Sequence, residues 1–455
     1  MAAFMVSSFG LFVMGVFAGV FPTPSWQTFT LLAYGWAVAG GERQTLSTYV
    51  WVSGATEAKH WSCCYRFVGG ALYAARWVLW GRVIRCAVQW VPATDPIRLV
   101  VDDSTKKKAG RQIEGGAYYR NGAGSARQEY RTLWGLNFVW VIMRVPLRWW
   151  PGQSVSVPVG LSLYLKEAQA RQLQLPYQSR SALAREIVDF VAAQLPERQL
   201  RVVNDGGDAT TEYLHQLPAR VDVVGRMLLT GKLYAPPPPR EAHQRGCPPK
   251  KGPLVGSPKT LARKRTGWQP HPTEAGALVQ VWEGIWHTVL PGRLLRVVVV
   301  HRPGPTRRRK PGQRKPPPPV EAFFTTDRTL SLAALLAQYQ ERWTVEISLR
   351  DGNAFTGFGQ DQCRKYAHVV GGNTFRLLLA AARTLWFVAQ TSATGPLDLT
   401  RARPWYRHKQ APSQLDIVWT WREALHAAGV FPIPRFTLGP AKIPQAPEIP
   451  LPLAA

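Results

Sequence analysis

Two short apolar runs, each closing on aspartate, constrain this chain most: Ile97 to Asp103 (IRLVVDD) and Leu200 to Asp205 (LRVVND). Runs of this length, rich in Val, Ile and Leu without polar alternation, read as strands buried on both faces of a sheet. They predict Asp102 and Asp103 at the C-terminal end of one central strand and Asp205 at the end of another. Further strands are predicted at 135–144 (GLNFVWVIMR), 155–164 (VSVPVGLSLY) and Val221 to Arg226 (VDVVGR). An amphipathic helix is predicted at 179–194, and another begins at Thr210. Three strands, a helix, a strand, a helix and a strand make an α/β fold with a mixed sheet flanked by helices.

A chain of 455 residues has room for two or more domains. Residues 1–93 read as a helical domain, with Trp26, Trp36, Trp51, Trp61, Trp77, Trp80 and Trp90 set among Arg43, Lys59, Arg66, Arg76, Arg82 and Arg85. That pattern suits a tryptophan-rich core and a DNA-end-binding surface equally. No charge precedes Glu42, yet MAAF lacks the basic start of a signal peptide, and Ser7, Ser8, Gly10, Gly15 and Gly19 dilute the apolar run. Phe4 to Phe21 is therefore expected to be a buried helix rather than a membrane span. The five cysteines, Cys63, Cys64, Cys86, Cys247 and Cys363, have neither zinc-site nor disulfide-framework spacing, which fits a reducing cytosol.

The formal charge is +28, from 56 Lys and Arg against 28 Asp and Glu. Such an excess points to a polyanionic partner, nucleic acid first. Residues 240–315 hold 17 Lys and Arg against three Glu, which is half of the net charge. Tetraprolines at 236–239 and 316–319 bracket this segment, and strands are expected inside it at 278–288 and 294–301. It reads as a basic, β-rich insertion over 235–319 that touches polyanion, with basic loops KKGPLVGSPKTLARKRTG and RPGPTRRRKPGQRKPPPP. The α/β core would then comprise 94–234 and 320–395, and 396–455 would form a C-terminal region ending in a poorly ordered, proline-rich tail.

Past Val320 to Asp327 (VEAFFTTD), a long helix is expected from Ser331, followed by an apolar core helix at 374–390. At about 100° per residue, Tyr339, Arg342, Glu346 and Asn353 fall within about 60° on that first helix. Taken alone, the helix reads as amphipathic, with Val345, Ile347 and Leu349 inward. Asp102, Asp205 and Glu346, converging in a basic protein, suit hard divalent cations such as Mg²⁺. Two such ions about 4 Å apart can drive in-line displacement at phosphorus.

The text LVVDDSTKKKAG, RVVNDGGDATTEYL followed by VVGRMLLTGKLYAPPPP, and TTDRTLSLAALLAQYQERWTVEISLRDGNAFTGFGQDQCR resembles bacterial insertion-sequence transposases of the DDE class that carry a β-rich insertion. The resemblance spans about residues 95–390, and its most specific element is a Y-x-x-R-x-x-x-E pattern met by Tyr339, Arg342 and Glu346. It implies a ribonuclease H-like core that uses two Mg²⁺ ions, with Mn²⁺ as a substitute. The implied activity is cleavage at transposon ends and strand transfer into target DNA, by a dimer in the DNA complex, in the cytoplasm at the nucleoid. Asp102, Asp205 and Glu346 would be the catalytic, metal-binding triad. Asp103 is the rival for the first position, although the family's D-x-[ST] pattern fits Asp102-Asp103-Ser104 best. Tyr339, Arg342, Asn353, Arg226 and Lys108 would contact DNA. Asn353 stands where the family carries lysine. One of Trp268, Trp282 and Trp286 would be the aromatic that stacks on an extruded base, with core packing as the competing reading for each. The alternatives are a metal-dependent nuclease and an inactive, transposase-derived DNA-binding protein.

Overall fold

A computed structural model describes residues 1–39, 43–120, 131–207, 209–215, 217–239, 247–303, 320–399 and 405–431. The proline-rich tail beyond 431, the second tetraproline and the basic loop from 304 onward lie outside these residues.

The chain opens with helices α1 (Ala2–Val6), α2 (Ser8–Phe17), α3 (Thr23–Val38), α4 (Leu46–Val52), α5 (Ala55–Ala58) and α6 (Trp61–Phe67). A π-helical turn (Val68–Leu72) then leads into α7 (Tyr73–Val88). The single helix expected over Phe4 to Phe21 is divided at Ser7, which is extended and whose hydroxyl accepts from the Gly10 N–H at 3.0 Å. That is an ordinary N-cap, and it starts a new helix where the apolar pattern alone would have continued the old one.

The sheet begins with β1 (Ile97–Lys107), β2 (Ala117–Arg120), β3 (Thr132–Pro146) and β4 (Ser154–Tyr164). After α8 (Glu167–Gln172) and α9 (Arg180–Gln194) come β5 (Leu200–Asn204), the one-turn helix α10 (Thr211–Leu214) and β6 (Val221–Arg226). The basic segment supplies β7 (Leu233–Tyr234), β8 (Leu254–Gly256), α11 (Pro258–Leu261), β9 (Gln269–Pro270), β10 (Leu278–Ile285) and β11 (Leu294–His301), and β12 (Val320–Thr325) follows. The strands join one mixed sheet in the order β2-β3-β1-β5-β6-β12-β11-β10-β7-β8, with β4 on β3 and β9 on β10. Pairing is parallel at β1-β5-β6 and antiparallel elsewhere. The strands of the basic segment thus lengthen the central sheet rather than form a second one.

Asp102 and Asp103 do not end their strand. The antiparallel partner β3 runs beside β1 as far as Lys107↔Gly135, so β1 continues through the polar text DDSTKK. On its other side the parallel partner β5 stops at Asn204. The carboxylates therefore stand where one neighbour ends and the other goes on.

The last helices are α12 (Leu332–Gln340), α13 (Trp343–Phe355), α14 (Tyr366–Thr394) and α15 (Gln414–Ala427). The helix expected to run unbroken through Tyr339 and Glu346 is interrupted at Glu341 and Arg342. There the N–H groups of Glu341, Arg342, Thr344 and Val345 each bond three residues back, at 2.9 to 3.1 Å. This tightened turn separates α12 from α13. Gly352 does not end α13, which continues to Phe355. The core helix expected at 374–390 extends over 29 residues, and nearly all of its middle is buried. It packs on α2, α7 and the π-helical turn, where Gly371 lets the backbones meet: a Cβ there would lie 2.1 Å from the Val68 carbonyl oxygen. The N-terminal helices and the sheet thereby share one continuous apolar core. Among the described residues no helix is long and apolar enough to cross a membrane.

Candidate functional site

Val100 of β1 pairs with Val203 of β5, so continuing the register two residues brings Asp102 level with Asp205, just past the end of β5. The turn between α12 and α13 places Arg342 over these two residues. Its Nη1 lies 3.2 Å from Glu346 Oε1 and 3.9 Å from Asp102 Oδ2, and its Nε lies 4.0 Å from Asp205 Oδ1. The Asp102 and Glu346 oxygens share one nitrogen neighbour, so they are at most about 7 Å apart, a span that a two-ion site bridges. Tyr339 OH donates to Asp205 Oδ1 at 3.2 Å, and its ring packs 4.5 Å from that of Phe323. Despite the broken helix, Tyr339, Arg342 and Glu346 still converge on the two aspartates.

Burial is the main cause of the Asp102 carboxyl being pushed up to about 7. The Asp103 N–H, which donates to it at 2.8 Å, works the other way, the Asp103 and Asp205 charges add to the rise, and Arg342 opposes it. For Arg342, burial works against its charge, but Asp205, Tyr339, Asp102 and Glu346 outweigh that and raise its pKa. Burial, then the Asp205 charge, raises the Tyr339 phenol.

Asp103 points the other way from Asp102, as neighbours on a strand must. Its Oδ2 accepts from Asn137 Nδ2 at 2.7 Å and from Arg180 Nη1 at 3.0 Å. Of the two rivals, only Asp102 reaches Arg342. Lys108 is engaged within the protein. Its ammonium donates to the carbonyls of Gly359 and Asp361 at 2.8 and 2.9 Å and pairs with Asp361 Oδ2 at 3.3 Å, so it is held inward. Arg226 ends β6, remains half exposed and pairs with Glu321 at 3.0 Å. Asn353 is exposed near the end of α13. Ile347, expected inward, is exposed.

Trp286 is buried and meets Phe324 edge to face, so it belongs to the core. Trp268 donates to the Lys264 carbonyl at 2.8 Å, and the Lys264 ammonium lies 4.3 Å over the Trp282 ring. The sequence reading missed Lys106, which shares the Asp102 face of β1. Its ammonium lies 4.8 Å over the Phe358 ring, and burial lowers it to about 8. The spacing of two from Ser104 and four from Asp102 was the available signal.

Three carboxylates from separate elements are a hard-oxygen donor set of the kind Mg²⁺ accepts, and here they already gather around one cationic group. Among the described residues no group of three or more His, Cys, Asp or Glu side chains could hold a metal ion, and the Arg342 guanidinium lies within 4.0 Å of each of these three carboxylates.

Residues 59–283 match the family model of the DDE superfamily endonucleases. The match takes in Asp102 and Asp205 and stops short of Glu346, so the stretch bearing the two aspartates is similar to a DDE endonuclease domain. Among solved structures, the chain is similar to the piggyBac transposase of a cryo-EM synaptic complex with hairpin DNA: 9% identity, covering 90% of this chain and 72% of that one, with a TM-score of 0.44. No curated protein matches.

Proposed function

We propose that this chain is an insertion-sequence DNA transposase that cleaves transposon ends and joins them to target DNA. The observation that carries the reading is the convergence of Asp102, Asp205 and Glu346 on one cation, within a chain whose first two carboxylates fall in a match to DDE endonucleases. The β4-β3-β1-β5-β6 part of the sheet, antiparallel and then parallel, supports a ribonuclease H-like core. Residues 1–93 would help bind DNA ends, and the basic segment 235–319 would hold the polyanion, in a dimer acting at the nucleoid.

Asp102, Asp205 and Glu346 would hold two Mg²⁺ ions, or Mn²⁺ in their place. When bound, such ions activate an attacking oxygen and stabilise a leaving one. Arg342 neutralises the carboxylates until then and afterwards offers its planar fork to a phosphate of the DNA. Tyr339 orients Asp205 through its hydroxyl, and Arg226 and Asn353 extend the contact surface along the strand. Asn353 in place of a lysine keeps a hydrogen-bonding amide without charge, and this favours the second reading, a DNA-binding protein derived from a transposase.

Incubation with duplexes bearing the cognate ends, target DNA and Mg²⁺ separates the readings. Transposase activity gives joined products, and Glu346→Gln abolishes them. Cleavage without joining indicates a nuclease, and metal-independent binding without cleavage indicates the DNA-binding reading.

A further inference from the structure

A second cationic centre lies among the C-terminal helices. Arg383, in the middle of α14, is 1% exposed. Its guanidinium lies between two indoles, 5.3 Å from the Trp36 ring of α3 and 5.2 Å from the Trp421 ring of α15. Nη1 donates to the Phe355 carbonyl at 3.2 Å, while Nε is buried and has no partner. Among the described residues no carboxylate pairs with it. The charged neighbour is Arg422, of like sign, and burial together with that repulsion pushes Arg383 down to about 9. An unpaired buried guanidinium is costly to maintain by packing alone.

Arg383 lines a cleft of about 700 Å³ that opens beside Ala354 and Phe355, at the end of α13. Arg43 and Arg422 stand exposed on its rim, and among the described residues no Asp or Glu lines it. Three guanidiniums around one opening, one of them buried with an unused donor, form a receptor for a multiply charged oxyanion. Eight residues of helix separate Glu346 from Ala354, about 12 Å along the axis.

The geometry points to a phosphate-binding cleft, with Arg383 as its buried anchor and Arg43 and Arg422 at its rim. A phosphodiester of bound DNA and free inorganic phosphate offer the same chemistry, and the test distinguishes them.

Thermal unfolding is measured without divalent metal, in inorganic phosphate and in chloride at equal ionic strength, and duplex binding is followed across a salt series. Arg383→Met keeps an apolar stem between the indoles and removes an unpaired charge, so its midpoint in chloride is unchanged or higher. If free phosphate is the ligand, it raises the wild-type midpoint by about 2 °C and leaves Arg383→Met unmoved. If DNA is the source, Arg383→Met binds duplex about tenfold more weakly, and its log-log salt slope is shallower by about 0.9. Arg43→Ala combined with Arg422→Ala, both on the exposed rim, reads the same shifts should Arg383→Met fail to fold. Wild-type responses to both phosphate and DNA in the variants would overturn the proposal. Metal is absent throughout, so the outcome is independent of the carboxylate site.

Discussion

Arg342 and Arg383 are both withdrawn from water, yet their surroundings are opposite. Arg342 has three carboxylates and a phenol around it, and its charge is reinforced. Arg383 has two indoles, one carbonyl and another arginine, and its charge is opposed. The first cation satisfies an acidic site; the second leaves a cationic site unsatisfied. The difference is the basis of two proposals of opposite sign: a divalent cation at the acidic centre, and an anion beside Arg383.

The largest expected effect falls on the acidic centre. Asp102→Asn, Asp205→Asn and Glu346→Gln should each lower DNA cleavage by at least about 10³-fold, as loss of several kcal/mol of metal stabilisation requires. Gel-resolved single-turnover cleavage checks this, and near-wild-type rates in any one of them would remove that residue from the triad. The contrast between the arginines next predicts opposite signs on truncation. Arg383→Met should leave the ligand-free protein as stable as before or more stable, by up to about 2 kcal/mol in chemical denaturation, because removing an unpaired buried charge offsets the lost bond to the Phe355 carbonyl.

Lys106 is the intermediate case, a buried cation over the ring of Phe358. Its folded-state value of about 8 lies below the ordinary lysine range, so between about pH 8 and 10.4 the unfolded chain binds the extra proton. This group's contribution to stability therefore rises with pH across that window. Lys106→Met should lack the rise and be more stable below pH 8 by on the order of 2 kcal/mol, which denaturation at pH 7 and pH 10 measures. The smallest effect is that of Arg342→Gln without metal. It should destabilise by about 1 kcal/mol, because Asp205 and Glu346 are 43% and 41% exposed and water screens much of their repulsion. Added Mg²⁺ should restore most of the loss.

Much of the acidic centre was legible in the sequence. Buried strands announced themselves by unbroken β-branched runs, and the 3.6-residue period aligned Tyr339, Arg342 and Glu346 even though the helix is interrupted between the first and last of them. The extension of β1 past Asp102 was not legible, because it depends on β3 supplying hydrogen bonds to polar text 28 to 38 residues distant in sequence. The partners of Lys108 were not legible for a related reason: local sequence shows a lysine cluster, but not the distant carbonyls of Gly359 and Asp361 that hold one member. Arg383 was hidden inside a helix read as apolar core. Its spacing of seven from Arg376, on one face of an otherwise apolar helix, was the clue. Only the tertiary structure shows that the Tyr49 phenol and the Asp361 carboxylate reinforce the charge of Arg376, while burial and Arg422 oppose that of Arg383.

The most direct test of the central claim is Mn²⁺ binding by electron paramagnetic resonance. The account predicts two ions bound per wild-type chain in the presence of DNA, with weakened binding in each of Asp102→Asn, Asp205→Asn and Glu346→Gln. Wild-type Mn²⁺ binding in all three variants would contradict it.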